Sequence, residues 1–543
     1  MSRKEAWLAA NTLTPERIAL ARVVVDEVRL GRDLGASLRA HSLPKGGVLG
    51  KSFLVAAYHA MVADGTLQAD TDLFDKLRMK PVRTLSGVTT VTVLTKPYPC
   101  PGKCIFCPTD VRMPKSYLPD EPGAMRGVEF NFDPFAQVRS RLTQLENLGH
   151  PTDKIELLIL GGTWSSYRRD YQEWFVARCF DALNGTSLAG ASPEEWRDRH
   201  LDKIHALNES APHRSVGLVI ETRPDEINPD ELRWLRHLGV TKVQMGAQSL
   251  DDHILEINKR GHDVAATHRA MSLLRAAGFK VVLHWMPNLL GASLQSDRAD
   301  FGKLWTGLCP DEIKIYPNQL LPNAELYEYW QRGEFQPYTT AELIDLMVDV
   351  KPTIPRYCRV NRVIRDIPST HVVEGNRRTS LRQDIQVEMK KRGVHCECVR
   401  CREVRARTIA PESLRLDDLI YPTDSSEEHF ISFVTPDDRI AGFIRCSLPA
   451  TGSPATGLAD LEGAALIREV HVYGQSLPVG ADRAGAAQHV GLGTRLLAEA
   501  DRVAHARGYQ RMAVISAVGT RGYYLERGFV RGEYYLVKSI GKG

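Results

Sequence analysis

The chain has 543 residues, more than one hydrophobic core can hold, and its 43% hydrophobic and 25% charged content is that of a globular protein of two to four domains. No apolar run reaches the length of a bilayer span and the first residues lack the basic-then-apolar order of a secretion signal, which places the expected location in the cytoplasm. The ten cysteines, tightly grouped at two places, fit metal ligation in a reducing compartment better than disulfides, while a net charge of +4 is too small to name a partner.

Residues 1–87 read as a helical region. Thr14-Pro15-Glu16-Arg17 offers an N-cap and a proline at the first helical position, followed by apolar residues at helical spacing through Ile18, Ala21, Val25 and Val28. A second helix fits 51–63, stopped by Asp64-Gly65. Lys76, Arg78, Lys80 and Arg83 then form either a nucleic-acid face or a merely solvated one.

Residues 88–345 alternate short apolar runs with amphipathic segments, as a parallel β/α array does. Strands are expected at 89–95, 155–160, 216–221, 242–245, 280–286 and 312–316, with helices such as 133–148 and 265–277 between them. Six units make a partial (β/α) barrel, and such barrels carry their chemistry where the strands end. The conspicuous residues do follow the runs: the first cysteine loop, Gly161-Gly162-Thr163, Glu221-Thr222-Arg223-Pro224, Gln248-Ser249 and Pro287-Asn288.

That first loop holds Cys100, Cys104 and Cys107 in C-x3-C-x2-C spacing. Three thiolates on one loop can hold three irons of a 4Fe–4S cluster and leave the fourth iron open; three incidental cysteines or half a zinc knuckle is the plainer alternative. The spacing, with Phe106 just before the last cysteine, resembles the radical S-adenosylmethionine (SAM) superfamily, in which the open iron chelates the amino and carboxylate groups of SAM. The resemblance implies that Gly161-Gly162-Thr163 is the turn that meets the methionine amino group and that Glu221 bonds the ribose. A strand-to-helix turn for the glycines, and a helix cap or a pair with Arg223 for Glu221, are the purely structural alternatives.

Residues 346–410 change character. From 351 to 407 there are 15 Lys or Arg against 6 Asp or Glu, a density that suits RNA better than a solvated linker. Within it, Cys396, Cys398 and Cys401 can wrap a tetrahedral zinc ion, with a second iron-sulfur cluster the lesser alternative. The fourth ligand is His395 or a distant residue. His395 stands awkwardly beside Cys396, so Cys309 is the preferred fourth ligand.

Residues 411–543 open with β-like runs at 428–434 and 440–447. A third run, 465–473, is followed after a polar loop by Gln488-His-Val-Gly491-Leu492-Gly493-Thr494, which starts a helix running to about residue 507, and another strand is expected at 512–518. Glycines at a helix start expose backbone N–H groups to a pyrophosphate. The arrangement resembles the Gcn5-related N-acetyltransferases, and implies that Glu469, Val470, His471 and Val472 line the pantetheine of acetyl-CoA while Gln488, Gly491, Leu492, Gly493 and Thr494 hold its diphosphate.

A radical SAM barrel and an acetyltransferase domain rarely share one chain. With Met113-Pro-Lys-Ser-Tyr117, Glu121-Pro-Gly-Ala-Met-Arg126, Asp133-Pro-Phe135 and the run 513–524, this chain resembles, from about residue 80 onward, the family of the catalytic subunit of Elongator in its bacterial or archaeal stand-alone form. The resemblance implies a fold of a partial (β/α)6 radical SAM barrel plus an α+β acetyltransferase domain, with 4Fe–4S cluster and SAM as cofactors and acetyl-CoA as co-substrate, while zinc as a further cofactor rests on the spacing of Cys396, Cys398 and Cys401 alone. It implies carboxymethylation at C5 of the wobble uridine of tRNA, bound by its anticodon stem-loop, with an external electron donor; a homo-oligomer stays open. It further places acetyl-CoA contacts on Lys154 and Tyr524, with Tyr523 or Tyr524 donating to the departing thiolate. A protein lysine acetyltransferase with Glu469 as base, its barrel only a platform, is the rival; a noncatalytic tRNA scaffold is a third reading.

Overall fold

The Thr14 hydroxyl accepts from the Arg17 amide at 3.3 Å and Pro15 needs no amide partner, so the first helix starts where its cap dictates, at Pro15–Arg29. With Lys51–Ala63, which ends at Asp64 before a left-handed Gly65, it buries Ala21, Val25, Phe53 and Leu54 in a small core of its own. In this computed structural model the described residues are 12, 14–43, 47–79, 84, 86–186, 200–405, 407, 409–474 and 491–541. Lys80 and Arg83 of the basic run, and Gln488 of the expected diphosphate loop, lie outside them. Among the described residues no helix is long and apolar enough to cross a membrane.

The central element is a sheet of seven parallel strands in sequential order: β1 (Thr89–Leu94), β2 (Lys154–Leu160), β3 (Arg214–Thr222), β4 (Lys242–Gln248), β5 (Lys280–Trp285), β6 (Glu312–Ile315) and β7 (Arg359–Arg362). Sequential parallel strands with helical crossovers curl into an open half-barrel. Its outer face buries Ile155, Leu157 and Ile159 against helices such as Pro134–Asn147, capped by Asp133, and Arg169–Asn184. The intervening positions, Glu156, Gln244, Glu312 and Lys314 among them, face a cavity instead. The strand count differs from expectation by one: β7 comes from the basic stretch, where Arg-Val-Asn-Arg pairs with β6. Its polar side chains serve a polar interior, which is why no apolar run marks it.

The second sheet has the order β13-β14-β12-β11-β10-β9-β8, from β8 (Arg415–Pro422), β9 (Ser426–Val434), β10 (Ile440–Pro449), β11 (Ala464–Val472), β12 (Arg511–Val514), β13 (Val530–Arg531) and β14 (Leu536–Ser539). All its pairings are antiparallel except β11 with β12. That parallel pairing stops at Ile467, whose carbonyl takes a last bond from Ile515, so among the described residues no strand pairs with the far edge of Arg468–His471.

This sheet docks on the N-terminal ends of the barrel strands. Arg468 donates to Asp311 at 2.7 and 2.8 Å and to the Phe279 carbonyl, and Tyr535 donates to the Ala277 carbonyl at 2.6 Å. A Cβ on Gly519 would stand 2.9 Å from the Ser215 backbone at the start of β3, a contact that only glycine permits.

Candidate active site

One cavity of about 1810 Å³ runs through the half-barrel from the first cysteine loop to the second sheet. It is lined at one end by Phe106, Cys107 and Glu221, and at the other by Lys154, Glu469 and Tyr524. Strand register sets the separation. Lys280 at the start of β5 pairs with Glu469, while His284 at the other end of β5 faces Glu221, four residues or about 13 Å away at ~3.3 Å per residue.

At the upper end the loop after β1 packs its thiols among cations. Arg260 donates to Cys104 Sγ at 3.5 Å, Thr163 Oγ1 lies 3.4 Å from Cys100 Sγ, and Arg223 sits over the loop with its Nη1 buried and unpaired. The neighbouring Cys107 thiol, with Arg260 and Arg223 adding their charge, holds Cys104 down to about 5, and the same pairing together with burial raises Cys107. A Cys104 thiolate favoured beside guanidiniums suits iron ligation, and a cluster that gives each sulfur its own iron does not require the three to meet at one point.

Gly161 and Gly162 stand beside this loop with φ of 145° and 88°. A Cβ on Gly161 would fall 1.7 Å from Thr95 Oγ1, so the turn that brings Thr163 to Cys100 depends on glycine. Glu221 neither caps a helix nor pairs with Arg223, which binds Asp225 at 2.8 and 2.9 Å. Its carboxylate accepts from Tyr117 at 2.9 Å and lies 3.5 Å from His284 Nδ1, turned into the cavity and available to a diol.

At the lower end, Gly491 takes the left-handed conformation as N-cap of the helix Leu492–Ala506. A Cβ on Gly493 would meet Tyr523 Oη at 2.5 Å, so the helix start, the Tyr523 phenol and the end of β11 crowd around one point. Val470, His471 and Val472 line the cavity beside the open backbone edge, which offers N–H and C=O groups to an extended amide-bearing ligand. Tyr524 is buried against Tyr523 with ring centroids 5.2 Å apart, and burial raises both phenols, which therefore stay protonated donors. Lys154, at the start of β2, lines the same end, its ammonium lowered by burial.

Glu469 is not poised as a base. Burial opposes its charge, yet Lys280 at 2.5 Å and Arg445 at 2.9 Å hold the carboxyl below its usual range. Lys280 in turn bridges to Glu312, and Lys242 joins Glu312 to Glu156, so carboxylates and ammoniums alternate across the barrel floor.

Away from this axis, ligand atoms of Cys396, Cys398 and Cys401 lie within 4.8 Å of one another, three corners for a tetrahedral ion. The expected fourth ligand, Cys309, does not join them. Its thiol faces the Trp305 carbonyl at 3.4 Å and the Pro422 carbonyl at 3.7 Å, held there by its own loop before β6. His395 is exposed and leans toward Glu397.

Sequence reasoning passed over Arg260, His284, Gln244 and Lys314. All four are inward-facing or loop residues whose neighbours come from other strands, and only the alternation of polar residues within β4, β5 and β6 could have marked the last three.

Fold and site together define a radical SAM protein: residues 98–299 match the Radical SAM superfamily and 310–391 the Radical_SAM C-terminal domain. The chain is 40% identical over 86% of its length, and 88% of the relative's, to the tRNA uridine(34) acetyltransferase of Methanocaldococcus infernus. It is 34% identical to Elongator complex protein 3 of Homo sapiens over 86% of this chain and 87% of that one. The solved structure of the archaeal Methanocaldococcus infernus Elp3, lacking its N-terminus, superposes with a TM-score of 0.69 at 34% identity, covering 83% of this chain and 99% of that one. The chain belongs to the family of Elongator complex protein 3 and the tRNA uridine(34) acetyltransferases.

Proposed function

We propose that the protein modifies the wobble uridine of tRNA at C5, using SAM-derived radical chemistry and acetyl-CoA to leave a carboxymethyl group. The observation that carries this reading is the single cavity with an iron-ligating loop at one end and an open strand edge with a glycine-gated helix start at the other. The relatives' name, tRNA uridine(34) acetyltransferase, supplies the substrate.

Cys100, Cys104 and Cys107 would hold a 4Fe–4S cluster, with SAM cradled by Gly161, Gly162 and Thr163 and its ribose on Glu221. Charged by an external one-electron donor, the cluster and SAM supply a carbon radical strong enough to take hydrogen from a methyl group, which no side-chain base can do. The chain's own residues do the rest. The edge from Glu469 to Val472 and the start at Gly491, Leu492, Gly493 and Thr494 would extend acetyl-CoA into the barrel, Lys154 steadying it from β2. Tyr523 or Tyr524 would donate a proton as the thiolate leaves. Cys396, Cys398 and Cys401 would bind zinc and brace the basic segment.

That segment carries less free charge than its composition suggests, because Arg356, Arg359, Arg362 and Arg365 are each paired with a carboxylate. Among the described residues Arg382 and Arg400 have no such partner: both line the cavity and donate to backbone carbonyls of Val360 and Asn361. They suit the phosphates of a single-stranded loop whose base is splayed inward. Incubation of the anaerobically reconstituted protein with SAM, reductant, acetyl-CoA and tRNA tests the reading. Carboxymethyluridine is the expected product; acetyl-lysine with unmodified uridine would support the rival acetyltransferase, which the double pairing of Glu469 already disfavours.

A further inference from the structure

Among the described residues, the cations borne by β4 to β7 are matched by carboxylates with one exception. Lys242 pairs with Glu156 and Glu312, Lys280 with Glu312 and Glu469, and Arg359 with Glu403. Lys314, the third residue of β6, is buried yet makes no ion pair among the described residues; it donates to Gln244 Oε1 and lies 5.7 Å from the Tyr316 ring. An ammonium kept from water and from counter-charge is costly unless a ligand supplies acceptors. Lys314 sits one layer below the strand ends, level with His284 and opposite Glu221, between the two halves of the cavity.

The pocket around it selects among ligands. His284 is kept neutral by burial and by Lys314, and it meets Tyr316 edge-on with centroids 5.3 Å apart, so a flat ring finds faces and edges to pack on. Glu221, in the same pocket, repels a phosphate. A neutral ring bearing carbonyls and an imide N–H meets both demands, giving an acceptor to Lys314 and a donor to the neighbouring Gln244 amide oxygen. Uracil has that edge. Cytosine presents an amino group where uracil has O4, and would set donor against donor.

We infer that Lys314, positioned by Gln244, binds O4 of the wobble uracil and makes the site reject cytosine. This deepens the proposed function and rests on it. The test is binding of three anticodon stem-loops to the whole protein, with uracil, cytosine or 4-thiouracil (which keeps the imide N–H and replaces O4 by a weak sulfur acceptor) as the wobble base. Wild type should favour uracil over both others by about tenfold to a hundredfold, the worth of a charge-assisted hydrogen bond. Lys314→Met should bring uracil and 4-thiouracil within about twofold of each other and shrink the preference over cytosine. The inference is overturned if wild type binds 4-thiouracil as well as uracil, a comparison independent of whether the variant folds. It is equally overturned if Lys314→Met weakens all three alike and keeps the preference, the signature of a phosphate contact. Failure of the underlying RNA reading looks different: wild type then binds none of the stem-loops.

Discussion

Replacing Arg468 by Met should loosen the joint between the two halves of the catalytic cavity, at a residue that lines it beside Glu469. Arg468 is fully buried between Asp311 of the barrel and Glu428 of β9, donating to Asp311 at 2.7 and 2.8 Å and to Glu428 at 2.6 Å. Removing one member of such a group strands two buried carboxylates, which costs about 3–5 kcal/mol. The lower figure applies, because Arg445 still faces Asp311 and Arg275 still faces Glu428, each at 3.5 Å. At 2–4 °C per kcal/mol, the midpoint of thermal unfolding should fall by roughly 6–12 °C at neutral pH.

The pH dependence carries a sign. Burial pushes both carboxyls up, but the arginines override it and hold them below their usual range. Their contribution in wild type is therefore full above the unfolded value near 4 and is lost as pH falls below it. In the variant, burial is less opposed and the carboxyls take up protons more readily, so the gap between variant and wild type should narrow as pH falls. Release of 5′-deoxyadenosine should survive in the variant while modified RNA is lost, since the iron-binding loop is remote from the change. A variant as stable as wild type, or a gap that ignores pH, would refute the view that this group fixes the second sheet to the barrel.

Other substitutions probe the two ends separately. Cys104→Ser should abolish 5′-deoxyadenosine release and leave acetyl-CoA binding intact, as measured by calorimetry; loss of both would make the cysteines structural. Gly161→Ala places a Cβ 1.7 Å from Thr95 Oγ1 at a φ of 145°, and should weaken SAM binding at least about tenfold with iron content kept. Cys398→Ser should remove bound zinc while the iron of the Cys100 loop remains; unchanged zinc would dissociate Cys396, Cys398 and Cys401 from metal binding.

Much of this architecture is legible in the residues because apolar strands feeding glycine and cysteine loops leave a strong pattern. The first six strands and the helices from Pro15 and Lys51 sit within a residue or two of where periodicity and capping put them, save that β4 runs three residues further, to Gln248. The misses share a cause. β7 carries Arg and Asn because it lines a charged cavity, and β8 mixes Arg and Asp with the exposed Leu416 and Ile420 because it is a sheet edge, so neither shows a clean apolar alternation. Cys309 looked like a metal ligand by residue type, but its orientation is set by carbonyls of Trp305 and Pro422, the second far away in sequence. Net charge was misleading in the same way: the basic segment reads as a phosphate surface until Glu121, Glu403 and Asp438 are found opposite Arg365, Arg359 and Arg356. What sequence could not supply was the pairing across strands, and it is that pairing which singles out Lys314, Arg382 and Arg400.

The central claim is that one cavity brings SAM-derived radical chemistry to the methyl group of acetyl-CoA. Acetyl-CoA deuterated in that methyl group, given to the reconstituted protein with SAM, reductant and tRNA, tests it most directly. The account expects 5′-deoxyadenosine one mass unit heavier and a carboxymethyl group on uridine that retains two deuteriums. Unlabelled 5′-deoxyadenosine alongside a labelled, modified uridine would contradict it, because the hydrogen would then have come from somewhere other than the acetyl methyl.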